Sequence, residues 1–172
     1  MSLQLSHRES EDLDFITKTS FNPQLLQQKL SQYGELNNIM VEEGTLNVFI
    51  DGIKLQFLYY PYNLLEAFIP WNGINLSSVI DIACTKLITI SMRGSKKDFI
   101  DLYIILQQAT LKDLFLKLDI KYAKVKYNLP HILKSLVYFE DADIQPMPRM
   151  HVDIEWKKVK NFIIQAVKSI EF

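Results

Sequence analysis

The segment "SHRESEDLDF", Ser6 to Phe15, places Glu9, Glu11, Asp12 and Asp14 within six residues, with only Arg8 for local neutralisation. Asp12 and Asp14 alternate with Leu13 and Phe15, the period of a strand, so both carboxylates project from one face while Leu13 and Phe15 turn inward. Two like charges this close repel, and a divalent cation removes the conflict. Mg²⁺ takes one or two carboxylates plus substrate phosphates, so D-x-D on a strand suits a metal–nucleotide complex. An acidic edge strand that discourages sheet-to-sheet aggregation fits the same tripeptide.

Lys86 falls at helical spacing with Val79, Ile82, Ala83 and Ile90, inside an apolar stripe. A lysine there either snorkels to water or meets an anion such as a phosphate. Asp98 and Asp101 share a face at i, i+3 in the first turn of an apolar helix. Acids in a first turn complement the helix dipole, and one of the pair is also placed to reach a metal or activate a hydroxyl. Lys117, Lys121 and Lys124 follow at i, i+4, i+7, with Tyr122 and Tyr127 near. That stripe fits an acceptor nucleic-acid backbone or a solvated helix face. His7, His131 and His151 have no metal-ligand spacing to one another; His7, beside the acidic strand, is the one of interest. Glu140, Asp141 and Asp143 read as a turn and capping segment. No nucleophile elbow, Walker A loop or G-x-G-x-x-G is present.

The elements that must position these groups change character along the chain. Asn22-Pro23 opens a helix running to a C-cap at Gly34, and "NNIMVEEG" reads as a strand. "TLNVFIDGIKLQFLYYPY" is a hairpin about Asp51-Gly52, after which Pro61 and Pro70 break regularity. Helices are expected from "NLSSVIDIACTKLITISMRG" ending at Gly94, from "KKDFIDLYIILQQA", from Thr110 as N-cap, from Pro130, and from Asp153 as N-cap. The expected fold is α+β: a small mixed or antiparallel sheet over about 1–70, then a helical part over about 76–172, in one domain 1–172.

Composition narrows the function class. Lys plus Arg is 19 and Asp plus Glu is 20, a net charge of −1, which argues against gripping long nucleic acid by bulk charge. The single Cys84 excludes an intrachain disulfide and a cysteine-cluster metal site. No secretory leader and no apolar run of membrane-spanning length is found, so the expectation is a cytoplasmic chain with no membrane partner.

In order, these pieces resemble the AbiEii/AbiGii toxin family of nucleotidyltransferases, within the polymerase-β-like superfamily. "LQLSHRESEDLDFIT" is similar to the family's segment ending in D-x-D-F. "IDIACTKLITISMRGSKKDFIDLYIIL" is similar to its helix pair, with a Lys in the first helix and R/K-D-x-x-D opening the second. "LKSLVYFEDADIQPMP" with "WKKVKNFI" resembles its C-terminal portion. The resemblance implies Asp12 and Asp14 as metal ligands for Mg²⁺, Lys86 as the nucleotide-phosphate contact, and Asp98 with Asp101 as the catalytic acids. It implies transfer of a nucleotide from an NTP to an acceptor hydroxyl, in some members a tRNA end, and a cognate antitoxin protein as partner. The family's Gly-Gly-Ser/Thr turn is not found ahead of Asp12, and Gln56 stands where a third carboxylate is common. The sequence therefore leaves two readings: an enzyme, or a truncated or degenerate module of the same fold that binds nucleotide or protein and self-associates as a homo-oligomer.

Overall fold

The structure, a computed structural model, describes residues 1–170. It is an α+β chain, with its main sheet in the N-terminal half and helices C-terminal to it. The residues fall into two compact units, Ser10–Tyr62 and a second made of Met1–Glu9 with the chain from Asn63 onward.

The Ser10–Tyr62 unit holds strands β1 (Asp12–Thr17), β2 (Leu36–Glu42), β3 (Thr45–Ile50) and β4 (Ile53–Tyr59) and, between the first two strands, helix α1 (Pro23–Leu30). The sheet order is β1-β4-β3-β2, with β1 parallel to β4 and the other neighbours antiparallel. Asp51 and Gly52 take φ of 50° and 82°, the paired positive values of a type I′ turn, so this dipeptide fixes the β3–β4 register. Asn22 caps α1 by accepting from the Leu25 N–H at 3.0 Å, and Pro23 sits in the first turn, where its missing N–H costs nothing.

Two expectations change here. The C-cap of α1 is Ser31, not Gly34. Gly34 is required instead by close packing, since a Cβ there would lie 2.7 Å from Ile50 Cγ2. Leu13 and Phe15 are not core residues; they remain 45% and 40% exposed. They share a face with the buried Leu46 and Val48 across the register, but β1 is the sheet edge and α1 packs over β2 and β3. Phe15 stacks on Phe57 with ring centroids 5.0 Å apart, beside an apolar groove that Leu25 and Leu26 also line.

The other unit opens with a single turn of helix, Ser2–Leu5. From Asn63 it carries β5 (Ile69–Trp71) and β6 (Ile74–Leu76), then α2 (Val79–Arg93), α3 (Lys96–Ile105), α4 (Leu111–Lys121), α5 (Leu129–Leu136), α6 (Glu140–Asp143) and α7 (Trp156–Lys168). The β5–β6 hairpin was not expected. Asn72 and Gly73 have φ of 45° and 81°, the same turn chemistry as Asp51-Gly52, and Pro70 pairs with Asn75 within the ladder. Ser78 and Thr110 cap α2 and α4 through their side chains, and Gly94 closes α2. The cap of α7 is Glu155 rather than Asp153.

The core of this unit is the apolar face shared by α2, α3, α4 and α5. Ala83, Cys84, Leu87, Phe99, Ile100, Leu102, Leu114, Leu118 and Leu136 are fully buried in it. Burial pushes the Cys84 thiol up to about 12, so it is an inert packing residue. Asp143, in the acidic loop, accepts from Trp156 Nε1 at 2.5 Å and from Lys160 Nζ at 2.8 Å, which ties α6 to α7. No helix among the described residues is long and apolar enough to cross a membrane.

Candidate active site

The α2–α3 hairpin brings Lys86, Asp98 and Asp101 together. Lys86 leaves the middle of α2, about two turns before its end, and the two acids leave the first turns of α3. Lys86 Nζ donates to Asp98 Oδ1 at 2.5 Å and lies 2.7 Å from Asp101 Oδ2. Both carboxylates are fully buried, and the Lys86 side chain keeps 16% exposure. The anion that meets this lysine within the chain is thus a carboxylate pair. Burial pulls the Lys86 ammonium down, but the Asp101 and Asp98 charges outweigh it and hold the group above its ordinary value.

Asp101 is the hub. Its Oδ1 accepts from Arg8 Nε at 2.7 Å and from His7 Nε2 at 2.8 Å, and its Oδ2 accepts from Arg8 Nη2 at 2.8 Å. With Lys86, all four acceptor positions of the carboxylate are engaged. Burial pushes the Asp101 carboxyl up, but the bonds from Arg8 and His7 and the Lys86 charge more than reverse this, leaving it well below the usual carboxylate range. An ionised and saturated carboxylate has no position left for a substrate proton. Asp98 is less committed, with Lys86 on one oxygen and Arg93 Nε at 3.3 Å on the other.

Arg8 and His7 reach this point because residues 7–9 run as an extended strap beside residues 149–151. His151 N donates to His7 O and Glu9 N to Arg149 O, both at 2.9 Å, about an Arg8–Met150 bridge. Arg8 therefore serves a buried acid 93 residues away. Since an ionised carboxylate only accepts, His7 must carry its proton on Nε2. Its Nδ1 is buried without a hydrogen-bond partner among the described residues.

Lys121 belongs to a different cluster. It is 3% exposed, and its Nζ donates to Asp81 Oδ1 at 2.6 Å. Asp81 also accepts from Ser78 Oγ and from the backbone N–H groups of Leu65 and Glu66, all within 3.3 Å. Burial raises the Asp81 carboxyl, and the Lys121 and Leu65 bonds overcome that and lower it. Lys121 consequently does not share a solvent face with Lys117, which is exposed on α4, or with Lys124, which lies beyond the helix end. Lys121→Met should cost about 1–2 kcal/mol in a urea melt, because Asp81 keeps its Ser78 and backbone donors. A loss as large as that of Asp81→Ala, which takes the carboxylate from the ammonium and leaves it the Asn63 carbonyl, would contradict this ordering.

In the Ser10–Tyr62 unit, Asp12 and Asp14 project from one face of β1, as their alternation requires. Asp14 pairs in register with Gln56, and Gln56 with Asn47, so an amide side chain shares the acid's face of the sheet. Asp12 pairs with Lys54, whose Nζ is 3.6 Å from Asp12 Oδ1. Asp14 makes no ion pair or side-chain hydrogen bond among the described residues. No group of three or more His, Cys, Asp or Glu gathers as a metal cluster among them. The donor set at β1 is all oxygen, two carboxylates and an amide, which fits a hard cation completed by water or phosphate.

His131 Nε2 lies 3.0 Å from Ser91 O at the surface, and His151 is exposed, so neither joins a site. Residues 61–171 match the family model described as "Nucleotidyl transferase AbiEii toxin, Type IV TA system". The chain is 35% identical over 175 residues to the uncharacterized protein aq_aa25 of Aquifex aeolicus (strain VF5), covering 97% of this chain and 82% of that protein. Among solved structures it is similar to JHP933 from Helicobacter pylori, at 16% identity and a TM-score of 0.48, over 94% of this chain and 75% of that one.

Proposed function

The chain belongs to the AbiEii nucleotidyl transferase toxin family, and we propose that it transfers a nucleotide from an NTP to an acceptor hydroxyl in a Mg²⁺-dependent reaction. The observation that carries the reading is the Lys86 ammonium, fixed by two buried carboxylates while part of its side chain stays exposed. A lysine held by two acids is preorganised as a point charge, the form that phosphate recognition uses.

In this reading Lys86 contacts the nucleotide phosphates, and Asp98 and Asp101 hold it rather than take a proton. Asp12 and Asp14 would hold the metal, with Gln56 next to Asp14 in the strand register. Mg²⁺ supplies charge stabilisation for the phosphate oxygens as they become more negative. The acceptor oxygen forms a bond to the α-phosphorus, the bond from that phosphorus to the bridging oxygen breaks, and pyrophosphate leaves. The acceptor proton passes to solvent, because Asp101 is saturated. A tRNA end is the proposed acceptor and an antitoxin protein the proposed partner. Lys117 and Lys124 remain available for an acceptor backbone.

The test incubates the protein with total tRNA, Mg²⁺ and each NTP labelled in turn at the α- or γ-phosphate. Label from the α-position alone is expected on the RNA. Transfer of γ-label alone would make the reaction phosphoryl transfer. Absence of both would leave the nucleotidyl-transfer reading without support and favour a binding module.

A further inference from the structure

We propose that Arg8 and His7 are positioning residues for Lys86, acting through Asp101. The inference rests on the nucleotidyl-transfer reading only for the purpose the lysine serves; the positioning itself is a property of the ion network.

Lys86 cannot be aimed by its own helix. Its four-carbon stem is flexible, and the ammonium is a point charge without a directional fork. Direction comes from the two acceptors, Asp98 Oδ1 and Asp101 Oδ2. Asp98 is weakly fixed, for among the described residues its second oxygen meets only Arg93, whose side chain is 61% exposed. Asp101 is strongly fixed. The Arg8 guanidinium grips both of its oxygens side-on, Nε to Oδ1 and Nη2 to Oδ2, and this planar two-point bond sets the orientation of the carboxylate plane. His7 takes the remaining position on Oδ1, leaving Oδ2 one open acceptor direction, and that direction points at Lys86.

The strap is itself immobilised. Arg8 is 8% exposed and His7 1%, and the backbone on both sides of Arg8 is bonded to residues 149–151. The chain thus fixes Lys86 in three stages: the strap fixes Arg8, Arg8 fixes Asp101, and Asp101 fixes Lys86. The unpartnered His7 Nδ1 makes the assignment selective. Only the Nε2–H of the ring is used, so a glutamine amide can replace it, whereas leucine cannot.

Two measurements test the proposal. The first observes the Lys86 ammonium by ¹⁵N-detected NMR, assigned by its absence in Lys86→Ala. A slowly exchanging signal is expected in the wild type and in His7→Gln, and a lost or broadened one in Arg8→Lys and His7→Leu. Arg8→Lys keeps the charge but not the fork, so a generic loss of electrostatic stability does not mimic the result. The second titrates magnesium tripolyphosphate, as the phosphate moiety common to all NTPs, into the same folded variants. Arg8→Lys is expected to bind about tenfold more weakly than wild type, and His7→Gln about equally. A wild-type Lys86 signal in Arg8→Lys overturns the positioning role. Unchanged tripolyphosphate affinity in Lys86→Ala overturns instead the phosphate-binding reading, so the two failures are distinct.

Discussion

Asp101→Asn should destabilise the chain by about 3–5 kcal/mol, lowering the melting temperature by about 10 °C. The substitution preserves shape and removes charge from a group that is fully buried and receives Arg8, His7 and Lys86. An asparagine offers one carbonyl oxygen and an NH₂. Whichever way it turns, the NH₂ faces donors, either Arg8 Nε with the imidazole or Arg8 Nη2 with the ammonium. Buried cations then stand against N–H groups, the costly case of a pair broken from one side. Asp98→Asn should cost clearly less, because Arg93 can turn to water. Urea melts of the two variants check the ordering, and equal losses would remove Asp101 from its place as hub.

The pH dependence follows from the same network. Asp101 titrates below its ordinary value in the folded chain, so its contribution is complete above about pH 4 and is lost as pH falls through the lowered folded value. Lys86 titrates above its ordinary value, so its contribution is complete below about pH 10 and is lost as pH rises through the raised one. The stability gap between wild type and Asp101→Asn should therefore be level through neutrality and shrink in acid.

What the sequence revealed of this network follows a physical divide. Lys86, Asp98 and Asp101 were singled out because helical spacing says which side chains share a face, although their ion pairing with one another was not read. The pairing of Arg8 and His7 with Asp101 was not legible either, because they approach it across 93 and 94 residues, and no local period encodes that distance. Arg8 lies beside four acids in sequence, which suggested local neutralisation, yet its side-chain ion pair goes to Asp101. Turn chemistry behaves in the same divided way. Asp51-Gly52 announced the β3–β4 hairpin, while the equivalent Asn72-Gly73 was passed over because Pro70 reads as a breaker. Proline is tolerated there because β5 is one of only two strands in its sheet, and each has an open side where no N–H is needed. The face of β1 was read correctly for its carboxylates and wrongly for Leu13 and Phe15. Alternation says which residues share a face, but not whether a helix covers it.

Asp14→Asn separates function from stability most sharply. The side chain is exposed and has no polar partner among the described residues, so the folded state gains nothing from its charge. Removing that charge relieves repulsion with Asp12, and the melting curve should stay within about 0.5 kcal/mol of wild type or rise slightly. With Asp14 in its proposed metal-holding role, nucleotide transfer should by contrast fall by about 100-fold to 1,000-fold, since a carboxylate is replaced by a neutral amide. Binding of Mn²⁺, followed by paramagnetic broadening of β1 and β4 resonances, should weaken in parallel. Asp12→Asn is the informative comparison. Asp12 already faces Lys54, so its loss also leaves that cation without its carboxylate, and part of the effect should then reverse in Asp12→Asn/Lys54→Met. Asp14→Asn has no such compensating partner. A variant that keeps wild-type transfer and wild-type Mn²⁺ broadening would return β1 to the other explanation of its acids, a charged edge strand whose carboxylates only keep neighbouring sheets apart.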